Sequence, residues 1–168
     1  MKYSVDIQKA CVARLPLARN ILRKIAIEVL QTQYLTAEIT LRFVELAEIT
    51  QLNYKYRHIN ASTNVLSFAA NLPKEIQQHC CFLGDVIICT DVLKTECIAL
   101  NKSLRDHAAH IVVHGILHLL GFDHIKTRDA LNMQAIEIKL LTQLGFAHPY
   151  FIVNKDKHDT NTHAQKLV

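Results

Sequence analysis

The sequence predicts an α+β domain: one small mixed sheet of about four strands, packed by about five helices, with a metal site at a helix end in a cleft. Three observations carry that expectation. Short runs alternate apolar and polar residues at the period of a strand, and longer runs repeat apolar residues every three to four positions, as helices do. The two kinds of run are interspersed without a regular strand–helix–strand alternation, which favours a single sheet covered by helices. The chain has 168 residues, of which 50% are hydrophobic and 20% charged, and that suits one ordinary core.

Residues 3–11 alternate weakly and read as the first strand. Pro16 can open a helix at its first turn, where the missing N–H costs nothing, and LPLARNILRKIAIEVLQ then keeps Leu17, Ile21, Ile25 and Val29 on one face. AEITLRFV, residues 37–44, alternates strictly enough to be a half-buried strand. Residues 45–57 return to helical spacing through Leu46, Ile49, Leu52 and Tyr56. NVLSFAA, 64–70, is short and apolar, hence a buried strand, and NLPKEIQQHCC after it reads as a loop or a short helix. GDVIIC, 84–89, is another strand, after which Thr90 or Asp91 can cap a helix running to about Leu100. SLRDHAAHIVVHGILHLLG, 103–121, is the strongest helix, with Ser103 to cap it and Gly121 to end it. A last helix over about 127–144 carries Leu131, Ile138 and Leu141 and stops at Gly145. Residues 1–153 read as one domain and 154–168 as a polar, aperiodic, disordered tail.

Composition removes several classes of function. No run approaches the roughly 18 apolar residues of a membrane span, so no membrane partner is expected. The opening MKYSVDIQKA lacks the apolar core of a signal peptide, and a cytoplasmic location is expected. Five cysteines without a CxxC pair read as reduced thiols and not as a disulfide scaffold. A net charge of +4 tolerates an RNA partner without requiring one. Arg14, Arg19, Arg23 and Lys24 read as a solvated helix face that could track phosphates.

The chemistry is concentrated in HGILHLLGFDH, 114–124. Residues four apart on a helix share a face, so His114 and His118 can converge on one ion. A glycine at 121 can adopt a left-handed conformation and turn the chain back, bringing His124 to the same ion. Three neutral imidazoles leave a coordination position open, which is a catalytic pattern, whereas structural zinc sites usually close with four ligands. Zinc is the expected ion, one per chain, with nickel or another divalent transition metal as the alternative. Asp123 can orient a histidine or serve its own turn, and Asp85 can support the site or a turn. His107 and His110 read as packing or surface residues too far along the helix to share the ion. The spacing is also that of metzincin proteases, but Gly115 stands where those carry their glutamate base.

HGILHLLGFDH resembles the signature HGxLHLxGxDH of the YbeY endoribonucleases, bacterial ribosomal-RNA maturation factors. LNYKYRHINASTNVLSFA resembles that family's LNxxYRxxDxPTxVLSFP, LGDVIIC its LGDIxIC, and the segment from Met133 and Glu137 to LGFAHPY its C-terminal end. These motifs occur in family order across about residues 38–150. Asn60, Ser62, Ala69 and Gln134 depart from the family's residues. The resemblance implies a metal-dependent endoribonuclease acting on single-stranded RNA, in maturation of the 16S rRNA 3′ end and ribosome quality control, with the small ribosomal subunit as partner. It also implies that Arg57 and His114 are catalytic. A guanidinium stays charged and can grip a phosphate through two parallel hydrogen bonds. Thr63, Asn64 and Ser67 could hydrogen-bond RNA, and capping or turn roles suit them equally. Two rivals stand beside this reading: a metalloprotease with the same three-histidine cage, its base drawn from elsewhere, such as Glu137, and a non-catalytic ribosome-assembly factor with a structural metal.

Overall fold

A computed structural model describes residues 2–70, 81–124 and 126–150. The expected loop at 71–81 and the tail at 154–168 lie outside these residues, except for Cys81. Strands β1 (Tyr3–Ala10), β2 (Ala37–Val44), β3 (Val65–Ala69) and β4 (Phe82–Cys89) form one sheet in the order β1-β2-β4-β3. β1, β2 and β4 run parallel, and β3 lies antiparallel to β4 at the edge. The helices are α1 (Arg19–Leu30), α2 (Leu46–Arg57), α3 (Thr90–Leu100), α4 (Leu104–Leu119) and α5 (Thr127–Gln143). The expected α+β architecture is therefore present. A parallel β1–α1–β2 unit, which the irregular element order had not suggested, builds one half of it.

Strand alternation divides the core in two. Ile39, Leu41 and Phe43 of β2, with Val86 and Ile88 of β4, face a large cluster shared with α1, α4 and α5. Val44, Leu66, Ile87 and Cys89 face the other way, onto Ile49 of α2. The sheet thus separates α4, which carries the histidines, from α2, which ends at Arg57.

Several elements differ from expectation. Pro16 precedes the helix, which begins at Arg19, and the buried face of α1 is Leu22, Ile25, Ala26, Val29 and Leu30. Ile21 is pushed to its margin because the true stripe contains an alanine that the spacing had passed over. In α2, Leu46 and Tyr56 are exposed and Asn53 is buried, its amide donating to the Ala61 carbonyl at 2.7 Å. β3 is an edge strand with only Leu66 fully buried, shorter and more open than a core strand. Thr90 is the first residue of α3 and caps nothing with its side chain. Arg19 donates to the Ile7 carbonyl at 2.5 Å, fastening α1 to β1.

α4 matches its prediction. Ser103 Oγ accepts the Asp106 N–H at 3.0 Å, the expected N-cap. At the other end Gly121 has φ +86°, and Phe122 N–H reaches the Leu117 carbonyl at 3.0 Å while Gly121 N–H reaches that of His118 at 3.1 Å. That is a Schellman stop, and it reverses the chain toward His124. Gly115 lies against the sheet: a Cβ there would meet Val86 Cγ1 at 2.5 Å and Val65 Cγ2 at 3.2 Å. Ser67 of β3 donates its hydroxyl to the Gly115 carbonyl at 2.8 Å, locking the helix to the edge strand. No helix among the described residues is long and apolar enough to cross a membrane.

Candidate metal centre

His114 and His118 project from one face of α4, and His124 approaches from the turn beyond Gly121. One ring nitrogen from each lies within 4.8 Å of the others. The Nε2 atoms of His114 and His118 stand 3.1 Å apart. Two nitrogens each about 2.0–2.1 Å from one tetrahedral ion would be roughly 3.3 Å apart, so the pair is already spaced for a shared cation.

The tautomers are set from behind. Glu137, on α5 and 1% exposed, stands 2.8 Å from His114 Nδ1 through its Oε1. Burial pushes its carboxyl up, but the His110 and His114 rings beside it outweigh this and hold it at about 2. The carboxylate is therefore ionised, His114 Nδ1–H donates to it, and His114 Nε2 is left with its lone pair facing the other histidines. Burial, together with the neighbouring His114 and His124, lowers His118, whose ring also hydrogen-bonds the Phe122 backbone. Burial thus favours the neutral form of His118, the form that ligates a metal. On the donor set alone, the residues fit a divalent transition ion.

Glu137 is a hub. Its Oε2 also accepts the Tyr150 hydroxyl and lies 3.4 Å from His110 Nε2. Burial and then Glu137 push the Tyr150 phenol well above its usual range, so it stays protonated and donating. His110, His114 and Glu137 form a second cluster of potential ligand atoms within 4.8 Å. The sequence reading had set His110 aside. It stands four residues before His114, and so on the same face of the helix, where it touches the hub. Met133, 1% exposed, lines a cavity of about 130 Å³ with His114, His124, Glu137 and Tyr150.

The remaining expected residues fall into place less uniformly. Asp123 accepts the backbone N–H of His124 at 2.7 Å and serves the turn, not a histidine ring. Asp85 alternates with Val86 in β4 and so points to the α2 side of the sheet, away from α4. The carboxylate behind the histidines is Glu137 instead of either aspartate. Asn64 donates to both Glu96 oxygens, at 3.1 and 3.2 Å, and Ser67 is engaged with Gly115, so both have structural partners. Thr63 is half-buried in the loop before β3. Arg57 ends α2 on the opposite side of the sheet, exposed, and has no ion pair among the described residues.

A sequence model described as "Endoribonuclease YbeY" matches residues 7–145. The chain belongs to the YbeY family. The curated protein "Endoribonuclease YbeY" of Legionella pneumophila (strain Corby) is 47% identical over 150 residues, covering 89% of this chain and 95% of the relative. The protein of the same name from Colwellia psychrerythraea is 42% identical over 154 residues, 89% of this chain and 98% of its own. In fold, the chain is similar to the solution structure of TM1509 from Thermotoga maritima, with a TM-score of 0.56, 20% identity, and coverage of 83% and 90% of the two chains. YbeY membership fits a cage that lacks a protease's base. Position 115 has no room for a glutamate against Val86, and Glu137 is buried, ionised and already engaged by two histidines and a tyrosine.

Proposed function

We propose that this chain is a metal-dependent endoribonuclease, a hydrolase that cuts single-stranded RNA in the cytoplasm during maturation of the small ribosomal subunit's 16S rRNA. The observation that carries the reading is the convergence of three imidazoles backed by a buried carboxylate, in a chain of the YbeY family. His114, His118 and His124 hold the ion, with zinc as our choice because imidazole donors suit it and a four-coordinate site with one free position is its catalytic form. Such an ion supplies Lewis acidity toward a phosphoryl oxygen or water. Glu137 fixes the His114 ring and keeps its Nδ1 proton, so the Nε2 lone pair stays available.

Arg57 is the proposed phosphate-binding catalytic group. β3 is the edge strand among the described residues, so none of the described strands stands between the α2 and α4 sides of the sheet there. Tyr56, the residue before Arg57, packs its ring against Phe68 of β3 with centroids 4.9 Å apart, and an exposed guanidinium next to it suits an incoming phosphodiester and its developing charge. Thr63, in the loop leading to β3, is our candidate for a contact to the same backbone. The test is one assay on a defined unstructured RNA with native protein, Arg57→Glu and His114→Ala, metal content being measured in each. We expect His114→Ala to lose both metal and cleavage, and Arg57→Glu to keep metal while losing cleavage at least roughly a hundredfold. Equal cutting by all three would mean that the activity is not this protein's.

A further inference from the structure

Behind the three candidate ligands stands the second cluster, His110, His114 and Glu137, whose potential ligand atoms lie within 4.8 Å of one another. His110 Nε2 is buried without a hydrogen-bond partner among the described residues. It faces Glu137 Oε2 at 3.4 Å, beyond the roughly 2.7–3.2 Å of an N–H···O hydrogen bond. A nitrogen and an oxygen that shared one tetrahedral zinc would stand roughly 3.4 Å apart. The two atoms are therefore too far apart to satisfy each other and are spaced to share a cation. The other oxygen, Oε1, is 2.8 Å from His114 Nδ1. Two imidazoles and one carboxylate are a recurrent donor set for zinc. Burial lowers His110 against the pull of Glu137, which favours the neutral ring that a metal requires.

The cluster touches two openings. His110 lines a cavity of about 140 Å³ with Asp106, His107 and Ala147. His114, Glu137 and Tyr150 line the one of about 130 Å³ described above. Each exceeds the roughly 30 Å³ that a water molecule occupies in the liquid, so an ion can arrive hydrated and keep water in the positions the protein leaves open. The donors are also held in place. His110 and His114 are one turn apart on α4, and the Tyr150 hydroxyl fastens Glu137 of α5.

We propose that His110 Nε2, His114 Nδ1 and the Glu137 carboxylate form a second, inner zinc site, which competes with the three-histidine site for the His114 ring. A neutral imidazole has one nitrogen lone pair to give. With an ion in the outer site, that pair is on Nε2, and the Nδ1 proton faces Glu137. With an ion in the inner site, the pair is on Nδ1, and the proton has passed through solvent to Nε2. The ring stays neutral, but it no longer holds the outer ion. High zinc would thus act as a brake on the outer centre. The inner site itself does not depend on the reaction catalysed; its effect on RNA cleavage rests on the endoribonuclease reading above.

The test has two arms, both on the full chain. In the first, the double variant His118→Ala/His124→Ala dismantles the outer site and leaves the inner donors intact. Its metal-free form is titrated with cobalt(II) and followed by visible absorption, with circular dichroism as the check on folding. We expect a single equivalent to bind, and adding His110→Phe to abolish it. No bound cobalt in the double variant, or equal binding after His110→Phe, overturns the proposal. The second arm needs no variant. Zinc is added beyond the first equivalent to the native chain while the histidine ring nitrogens are followed by NMR and cleavage of an unstructured RNA is measured. The His110 Nε2 resonance should shift, His114 should change tautomer, and cleavage should fall over the same zinc range. A His110 ring that never shifts overturns the inner site, and RNA cleavage by that same protein leaves the nuclease reading standing. Shifts with undiminished cleavage overturn the competition for His114. Shifts in a chain that cuts no RNA at any zinc level support the site and remove the nuclease reading instead.

Discussion

His114 has two duties on one ring: its Nδ1–H donates a hydrogen bond to Glu137 while its Nε2 faces the other two histidines. Replacing Glu137 by glutamine leaves the shape but removes the charge that fixes the tautomer. Metal affinity should fall roughly 10–100-fold, measured by competition with a chromophoric chelator. The same carboxyl should shape acid stability. Its folded value is depressed from 4.5 to about 2, so its contribution is complete above the unfolded value and is lost as the pH falls from about 4.5 through about 2. Glu137→Gln should therefore flatten the melting temperature of the metal-free protein across that window, as followed by circular dichroism. An unchanged acid limb would count against the hub. At this scale the three candidate ligands could be read from spacing alone, but their support could not. Glu137 sits in α5 with the burial of a leucine, and a helix face chosen by apolar residues passes over a buried charge. His110 carried a usable signal, since it lies one turn before His114 on the same stripe.

α4 positions the chemistry because a glycine lets it sit directly on β3 and β4. Gly115→Ala gains about 1 kcal/mol of helix propensity. Against that, its Cβ would press on Val86 Cγ1 at 2.5 Å, a branched side chain with little freedom to move. Overpacking of that kind costs roughly 1–3 kcal/mol, so a net loss of about 1 kcal/mol should appear in urea titration. Gly121 is the opposite case: a Cβ meets nothing within 4 Å, but φ is +86°. Gly121→Ala should cost roughly 1–2 kcal/mol through backbone conformation alone, with His124 losing its approach and metal affinity falling with it. Element types were legible wherever period and caps agreed, as in β2 and α4. Faces were less so. The buried stripe of α5 is Met133, Glu137, Leu140 and Leu141, whereas Leu131, in the stripe that the sequence favoured, is 53% exposed. The parallel pairing of β1 with β2 was hidden because strand order depends on tertiary packing and not on local spacing.

Taken whole, the molecule places its larger core on one face of the sheet and only a small cluster on the other, with the three candidate ligands on the well-packed side. An ion binding there selects the folded state. At a hundred times its dissociation constant it should add about 2.7 kcal/mol. For a chain of this length that is a rise of roughly 5–10 °C in melting temperature, reversed by a chelator and restored by zinc in a thermal melt. A melt indifferent to chelation would remove the ion from the fold's energetics.

The candidate ligands end at His124, but the groups that brace them extend to Glu137 and Tyr150. During synthesis, a nascent chain that has not yet added Tyr150 has the three candidate rings but not the complete brace behind them.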